Sequence, residues 1–127
     1  MPPERRRIVL DEDINWKLMR ELRGRGRTDA TAVKAEGLDG RKDAALFKIL
    51  HRDYEPYVLV TYDNKMPTVH AAEMAHHQTT VALVSEAAFR RKGGGDPGSF
   101  IRDVIHRWLH RIEMQPAGSR QIGRAHV

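Results

Sequence analysis

The stretch that decides the fold is Tyr57-Val58-Leu59-Val60-Thr61-Tyr62, which is followed at once by Asp63. Its β-branched and aromatic side chains lie between Pro56 and the turn signal Asp63-Asn64, and this pattern predicts a strand. A second apolar run, residues 8–10 (Ile-Val-Leu), ends at Asp11. Short continuous apolar runs are typical of strands that are buried on both faces, as in parallel sheets.

Helical periods alternate with these strands along the chain. Apolar residues recur at helical spacing in residues 13–23, 44–51, 69–77 and 101–112. Weaker strands are predicted at residues 28–33 and 79–84. The alternation predicts an α/β domain with a short, mainly parallel four-stranded sheet flanked by helices. Ligand sites in such sheets lie beyond the carboxyl ends of the strands.

The composition limits the class of protein. The 127 residues suffice for a single domain, which we place at residues 1–114, and 22 Lys and Arg against 17 Asp and Glu give a net charge of +5. This charge favours an anionic partner. The absence of cysteine excludes disulfides, thiolate metal sites and Cys nucleophiles. No apolar run approaches the ~18 residues of a membrane span, and the N-terminal run is too short for a signal peptide, so we expect a cytoplasmic protein with no membrane association.

The C-terminal segment is treated apart from the domain. Residues 115–127 contain Pro, Gly and Ser without a helical or strand period, which predicts a disordered tail. Its end, residues 122–127, resembles the in-frame translation of a common sequencing adapter, so this end is expected to be non-native. We therefore expect no function from it.

Three aspartates stand where the predicted strands and helices meet. Asp11 and Asp63 directly follow two strands, and Asp43 begins the helix before the second of them. If these strands are neighbours in a parallel sheet, the three side chains emerge at the same edge. Crowded carboxylates repel one another unless a cation lies between them, and Mg²⁺ or Mn²⁺ suits oxygen ligands. The alternative is that Asp13 and Asp43 only cap helices by accepting hydrogen bonds from free N–H groups.

Four short motifs occur in one order along residues 8–66. Residues 8–14 (IVLDEDI) are similar to an LLDEN(L/I) motif, and residues 22–26 (LRGRG) to LR-x-x-G. Residues 37–43 (GLDGRKD) match GL-x-G-x-x-D, and residues 58–63 (VLVTYD) match (V/I)LVT-x-D. In this order and spacing the motifs resemble those of the compact PIN-like domains, bacterial relatives of the PIN ribonucleases that include VapC-type toxins.

The resemblance implies both a fold and an activity. The fold is a small three-layer PIN-like domain, and the activity is that of a Mg²⁺- or Mn²⁺-dependent endoribonuclease in which metal-activated water hydrolyses RNA phosphodiester bonds. The resemblance implies that Asp11, Asp43 and Asp63 are the catalytic, metal-binding carboxylates. It also implies that the protein is the toxin of a type II toxin–antitoxin pair. Its partner would be a small antitoxin protein, and its assembly a homodimer.

Three positions depart from the family motifs. Family members often carry T-x-D-x-D-F, but Lys65 stands at the second Asp and Met66 at the Phe. Asp13 stands where the family has Asn, and we expect it to supply a carboxylate ligand in place of the one missing at position 65. These departures leave two alternatives for the number of metal ions bound, one or two. The alternative function is a catalytically eroded module that binds nucleic acid or a protein partner without cleavage.

Basic residues lie beside the candidate carboxylates. Arg41 and Lys42 directly precede Asp43, and phosphate contacts by such side chains dominate nucleic-acid binding. We expect Arg41, Lys42 and Thr61 to contact the RNA substrate. Further basic clusters fit the same partner and occur at residues 5–7, 23–27 and 90–92. The alternative for these clusters is that they only solvate the surface.

Histidines give a rival interpretation, a zinc hydrolase. Two sets of His and Glu recur at helical spacing: His70, Glu73 and His77, and His106, His110 and Glu113. Either set would place two imidazoles and a carboxylate on one helical face, as zinc hydrolases do. Neither set matches a metallopeptidase motif, so exposed, solvated helix faces are the simpler interpretation.

Overall fold

The computed structural model describes residues 5–62, 69–84, 97–115 and 120–123, and these form a sheet with helices on both faces. The strands are β1 Arg7–Leu10, β2 Thr31–Ala32, β3 Tyr57–Thr61, β4 Val81–Val84 and β5 Arg120–Gly123. They lie in the order β2-β1-β3-β4-β5, and every neighbouring pair is parallel. The described helices are α1 Leu18–Gly24, α2 Asp43–Asp53, α3 Ala71–His76, α4 Pro97–Arg107 and α5 Leu109–Glu113. The predicted small α/β domain with a parallel sheet is confirmed.

The sheet lies between two apolar layers, which explains the continuous apolar runs in its strands. Successive side chains of a strand point to opposite faces of the sheet. On one face, Ile8 and Leu10 of β1 pack with residues of α1, α4 and α5. On the other face, Val9 of β1 and Leu59 of β3 pack with residues of α2 and α3. Because both faces are covered, both sets of side chains are apolar.

The first helix begins later than the sequence predicts. The apolar period predicts a helix over residues 13–23, whereas α1 starts at Leu18. Before it, the N–H of Ile14 donates to the carbonyl of Asp11 at 3.0 Å, and the N–H of Leu18 donates to Asn15 at 3.0 Å, so these residues form turns. Ile14 is buried from within a turn. A turn can thus bury an apolar residue that stands at helical spacing, so the spacing does not require a helix there.

The C-terminal part of the chain also differs from the expectation. The single helix predicted over residues 101–112 is divided at Trp108, between α4 and α5. The strand β5 pairs with β4 inside the segment for which the sequence predicts disorder. Strand pairing uses backbone groups that nearly every residue carries, so a short strand needs no side-chain pattern. None of the helices within the described ranges is both long and apolar enough to cross a bilayer.

Helix α2 is held to the sheet mainly by Phe47, which is fully buried. Phe47→Ala should lower the free energy of unfolding by about 3–5 kcal/mol, because it removes buried apolar surface and leaves a cavity. Lys48→Ala, the exposed neighbouring position, should change it by about 0.5 kcal/mol or less. Urea unfolding followed by circular dichroism measures both. Equal effects of the two substitutions would contradict the placement of α2.

Candidate functional site

The pairing of β1 with β3 places Asp11 at the carboxyl edge of the sheet. Leu10 lies opposite Val60 in the register, and the N–H of Asp11 continues the ladder by donating to the carbonyl of Val60 at 2.9 Å. The Asp11 side chain is buried, with 6% of the residue exposed. One of its oxygens, Oδ1, accepts a hydrogen bond from the N–H of Glu12 at 2.8 Å. A buried carboxylate therefore lies where ligand sites of parallel sheets are found.

Asp13 joins the same edge through the end of β3. Its Oδ2 accepts a hydrogen bond from the Thr61 hydroxyl at 2.9 Å and another from the N–H of Tyr62 at 3.3 Å. The N-cap residue of α1 is Lys17, which makes no side-chain capping bond. The alternative prediction that Asp13 caps a helix is therefore wrong. Its side chain binds the end of the neighbouring strand instead.

Asp43 approaches this edge from α2. It is the first residue of the helix, the N-cap is Lys42, and no side-chain capping bond is formed. The capping interpretation of Asp43 is therefore also wrong. Its Oδ2 lies 3.0 Å from Nε2 of His70, with both side chains roughly one-quarter exposed (26% and 28%). His70, which the sequence groups with a zinc set, thus faces a carboxylate of the other candidate site.

The pKa of Asp11 reflects the burial and the charges at this edge of the sheet. Burial raises the pKa of the Asp11 carboxyl, and the negative charges of Asp43 and Glu12 raise it further. The proximity of the Thr61 side chain and the hydrogen bond from the Glu12 N–H oppose this rise. The net direction is upward, so the folded protein disfavours the charge on Asp11. A cation placed among these carboxylates would reverse that preference.

Glu12 also contributes to this edge of the sheet, and it is not among the carboxylates that the sequence predicts as ligands. Its Oε2 accepts a hydrogen bond from the N–H of Gly40 at 3.1 Å, which ties the end of β1 to the loop before α2. Gly40 has a φ of +79°, a conformation that glycine adopts without strain. The two residues are 28 positions apart. No local pattern in the sequence signals a contact over such a separation.

The residues that are predicted to contact the substrate differ in their exposure. Arg41 and Lys42 are exposed and directly precede the start of α2. Thr61 is fully buried, and its hydroxyl donates to Asp13. Any influence of Thr61 on a substrate would therefore pass through the carboxylate that it positions. The predicted ligand Asp63, together with Lys65 and Met66, lies outside the described residues.

The donors at this edge fit a hard divalent cation by type, because Asp11, Asp13 and Asp43 all offer carboxylate oxygen. Within the described ranges, however, no group of three or more His, Asp or Glu side chains has the arrangement needed to hold a metal ion. A complete ligand set would need a donor from the chain beyond Tyr62. Asp63 is the first such residue in the sequence.

The two histidine sets do not form zinc sites. All six residues lie in the described part of the chain, and there neither set belongs to a group that could hold a metal ion. His106 Nε2 lies 3.3 Å from Glu21, and His110 is exposed. Glu113 was expected on a solvated face, but it is buried and accepts hydrogen bonds from Arg27 at 2.7 and 3.1 Å. The helical spacing predicts that Glu113 is exposed, but the ion pair with the distant Arg27 allows it to be buried.

Comparisons of the chain with protein-family models, with curated proteins and with solved structures found no match. The assignment of a function therefore depends on the chemistry of the carboxylate edge, which we define as Asp11, Asp13, Asp43 and the groups that bind them. This edge contains the buried carboxyl group of Asp11 and exposed basic neighbours, and it lies at the carboxyl ends of adjacent parallel strands.

The raised pKa of Asp11 predicts a pH dependence of stability. Because the folded state holds the proton more tightly than the unfolded state, stability should fall as pH rises from about 4, the pKa of an unfolded aspartate, through the folded value. Asp11→Asn should remove this loss and stabilise the metal-free protein more at pH 7 than at pH 4. Urea unfolding in EDTA at both values measures the effect.

The matched control is Asp39→Asn at an exposed position. It should give only the small change that is usual for a surface substitution. A stability gain for Asp11→Asn that is no larger at pH 7 than at pH 4 would show that burial and neighbouring charge do not disfavour ionised Asp11.

Proposed function

We propose that the chain is a Mg²⁺- or Mn²⁺-dependent endoribonuclease with a PIN-like domain. The observation that carries the proposal is the meeting of carboxylates from separate segments at the carboxyl edge of β1 and β3. Asp11 follows β1, Asp13 binds the end of β3, and the charge of Asp43 raises the pKa of Asp11. A divalent cation would reduce the repulsion within such an arrangement.

Asp11, Asp43 and Asp63 would hold the cation, with Asp13 as a further ligand. A bound Mg²⁺ or Mn²⁺ would supply Lewis acidity, which activates water and stabilises charge that develops on a phosphodiester. The assignment of Asp63 rests on its position directly after the end of β3 and on the sequence resemblance.

The chain's own residues would prepare this edge for RNA. Thr61 orients Asp13, and Glu12 fixes the loop that leads to Asp43. Arg41 and Lys42 are exposed beside Asp43, where they would bind phosphates of the RNA backbone. Their positive charge would offset the repulsion between RNA and the carboxylates. Each group thus has a separate role: ligand, positioning or phosphate binding.

The biological role follows from the resemblance alone. A VapC-type toxin would act in the cytoplasm, form a homodimer and be inhibited by a small antitoxin protein. Such a partner would need to cover the carboxylate edge or prevent RNA from reaching it. We propose this role together with the nuclease activity.

A second candidate function is a module that binds nucleic acid or a protein partner without cleaving RNA. Two observations favour it: Lys65 replaces a family carboxylate, and the described residues do not hold three metal-ligating groups close together. In this case the basic residues would bind RNA, but no divalent ion would be required. The two functions therefore differ in their dependence on metal.

Cleavage of RNA should require both the divalent ion and the aspartates. Incubation of the purified chain with single-stranded RNA and Mn²⁺ or Mg²⁺ should produce fragments, and EDTA should abolish them. Asp11→Asn, Asp43→Asn and the double variant Asp11→Asn, Asp63→Asn should reduce the rate by about 100-fold or more, because ligand loss removes the cation from the site. Denaturing gel electrophoresis measures the products.

Asp53→Asn is a suitable control, since Asp53 is exposed at the far end of the same helix as Asp43. It should retain the parental rate. Salt-sensitive RNA binding with no cleavage in either metal would instead support the non-catalytic module.

Metal binding should also be measurable without a substrate. Mn²⁺ should raise the midpoint of thermal unfolding, because a ligand at 100 times its Kd stabilises the folded state by about 2.7 kcal/mol. The shift should disappear in Asp11→Asn and Asp43→Asn and persist in Asp53→Asn. Differential scanning calorimetry with and without Mn²⁺ measures it. An equal shift in all four proteins would place the binding of Mn²⁺ elsewhere.

A further inference from the structure

A concave site lies at the amino end of the sheet, opposite the carboxylate edge. It is a pocket of about 340 Å³ lined by Arg5, Arg7, Asp29, Tyr54 and Pro56. Arg7 begins β1, Asp29 precedes β2, and Tyr54 and Pro56 precede β3. The volume falls within the roughly 300–1,000 Å³ range of small-molecule pockets. The loops at the amino ends of three adjacent strands therefore form one site, separate from the carboxylate edge.

The two arginines of this pocket are in different electrostatic states. Arg5 makes a paired contact with Asp29, with distances of 3.0 and 3.3 Å between guanidinium nitrogen and carboxylate oxygen. For Arg7, the described part of the chain places no carboxylate within ion-pair distance of the guanidinium. An entering anion would therefore be attracted mainly by Arg7.

Arg7 and Tyr54 lie against each other in this pocket. The guanidinium carbon of Arg7 lies 5.6 Å from the centre of the Tyr54 ring, a cation–π contact. Burial raises the pKa of the Tyr54 hydroxyl, and the nearby Glu36 carboxylate raises it further, so this hydroxyl stays protonated and neutral. The tyrosine therefore adds no negative charge that would repel an anion. Nucleobases stack on aromatic rings and on arginine guanidinium planes alike.

We propose that this pocket binds one nucleotide unit of single-stranded RNA. The phosphate binds Arg7, whose guanidinium carries five N–H donors, and the base extends the stack of Arg7 on Tyr54. Asp29 keeps acceptor capacity beyond its contact with Arg5 and accepts a hydrogen bond from the ribose 2′-hydroxyl. Its negative charge also directs the phosphate towards Arg7. The proposal concerns binding only and does not depend on cleavage at the opposite edge.

The test is binding of 5′-AMP to the full chain in EDTA, measured by isothermal titration calorimetry. 5′-AMP should bind more tightly than 2′-deoxy-AMP, and both should bind more tightly than inorganic phosphate. Arg7→Gln should weaken 5′-AMP by about tenfold or more, because it removes a charge-assisted contact. Tyr54→Leu should weaken it by about fivefold or more through loss of stacking. Tyr54→Phe keeps the ring and should retain binding.

Matched controls separate this pocket from general charge and from the carboxylate edge. Arg52→Gln removes an equal charge at an exposed position outside the pocket and should leave binding unchanged. Asp39→Asn changes the charge of the exposed loop that leads to the carboxylate edge and should also leave it unchanged. Circular dichroism of each variant verifies folding.

Three results would overturn the proposal. In the first, Arg7→Gln and Arg52→Gln have equal effects on 5′-AMP. In the second, inorganic phosphate binds as tightly as 5′-AMP, so that the base contributes nothing. In the third, 2′-deoxy-AMP binds as tightly as 5′-AMP, so that the ribose hydroxyl is not recognised. Failure of RNA cleavage in the metal-dependent assay would not affect any of these measurements, which use no metal.

Discussion

The parallel pairing of β1 with β3 is the constraint on which the rest of the structure depends. Each strand is buried on both faces, and the register that brings Leu10 beside Val60 also brings Asp11 beside the end of β3. A slip of one residue would exchange the side chains that face the two apolar layers. It would also move Asp13 away from the Thr61 hydroxyl. The hydrophobic pattern therefore fixes the position of the polar groups as well as the core.

An ion pair between the buried Glu113 and the partly exposed Arg27 lies near the amino end of β1. Glu113, at the end of α5, accepts hydrogen bonds from Arg27, and its carbonyl accepts one from the N–H of Arg6 at 2.6 Å. A buried carboxylate is costly unless it is paired. The pairing with Arg27 meets this requirement and connects the loop before β2 with the last helix. Ion pairing thus stabilises the amino end of the sheet, while apolar packing stabilises its middle.

The sequence predicts the parts of the fold that follow from periodicity. The apolar runs of β1 and β3 and their alternation with helices are enough to predict a parallel α/β sheet, and Asp11 is expected at its edge for the same reason. The role of Asp13 and the burial of Glu113 could not be predicted, because each depends on a partner distant in sequence. The contact of Glu12 with Gly40 and the pocket at Arg7 arise in the same way. Local patterns carry no information about which distant loop a side chain will meet.

The two ends of the sheet interact with an anion in opposite ways. In the proposed function, Asp11, Asp13 and Asp43 would repel the phosphates of RNA, and a divalent cation would reduce this repulsion. Arg7 attracts phosphate without any cation. Strands of four or five residues are only about 15 Å long, so the two ends are separated by the length of a few nucleotides. A strand of RNA that binds first at Arg7 would therefore be held near the carboxylate edge, and only its final approach to that edge would depend on metal.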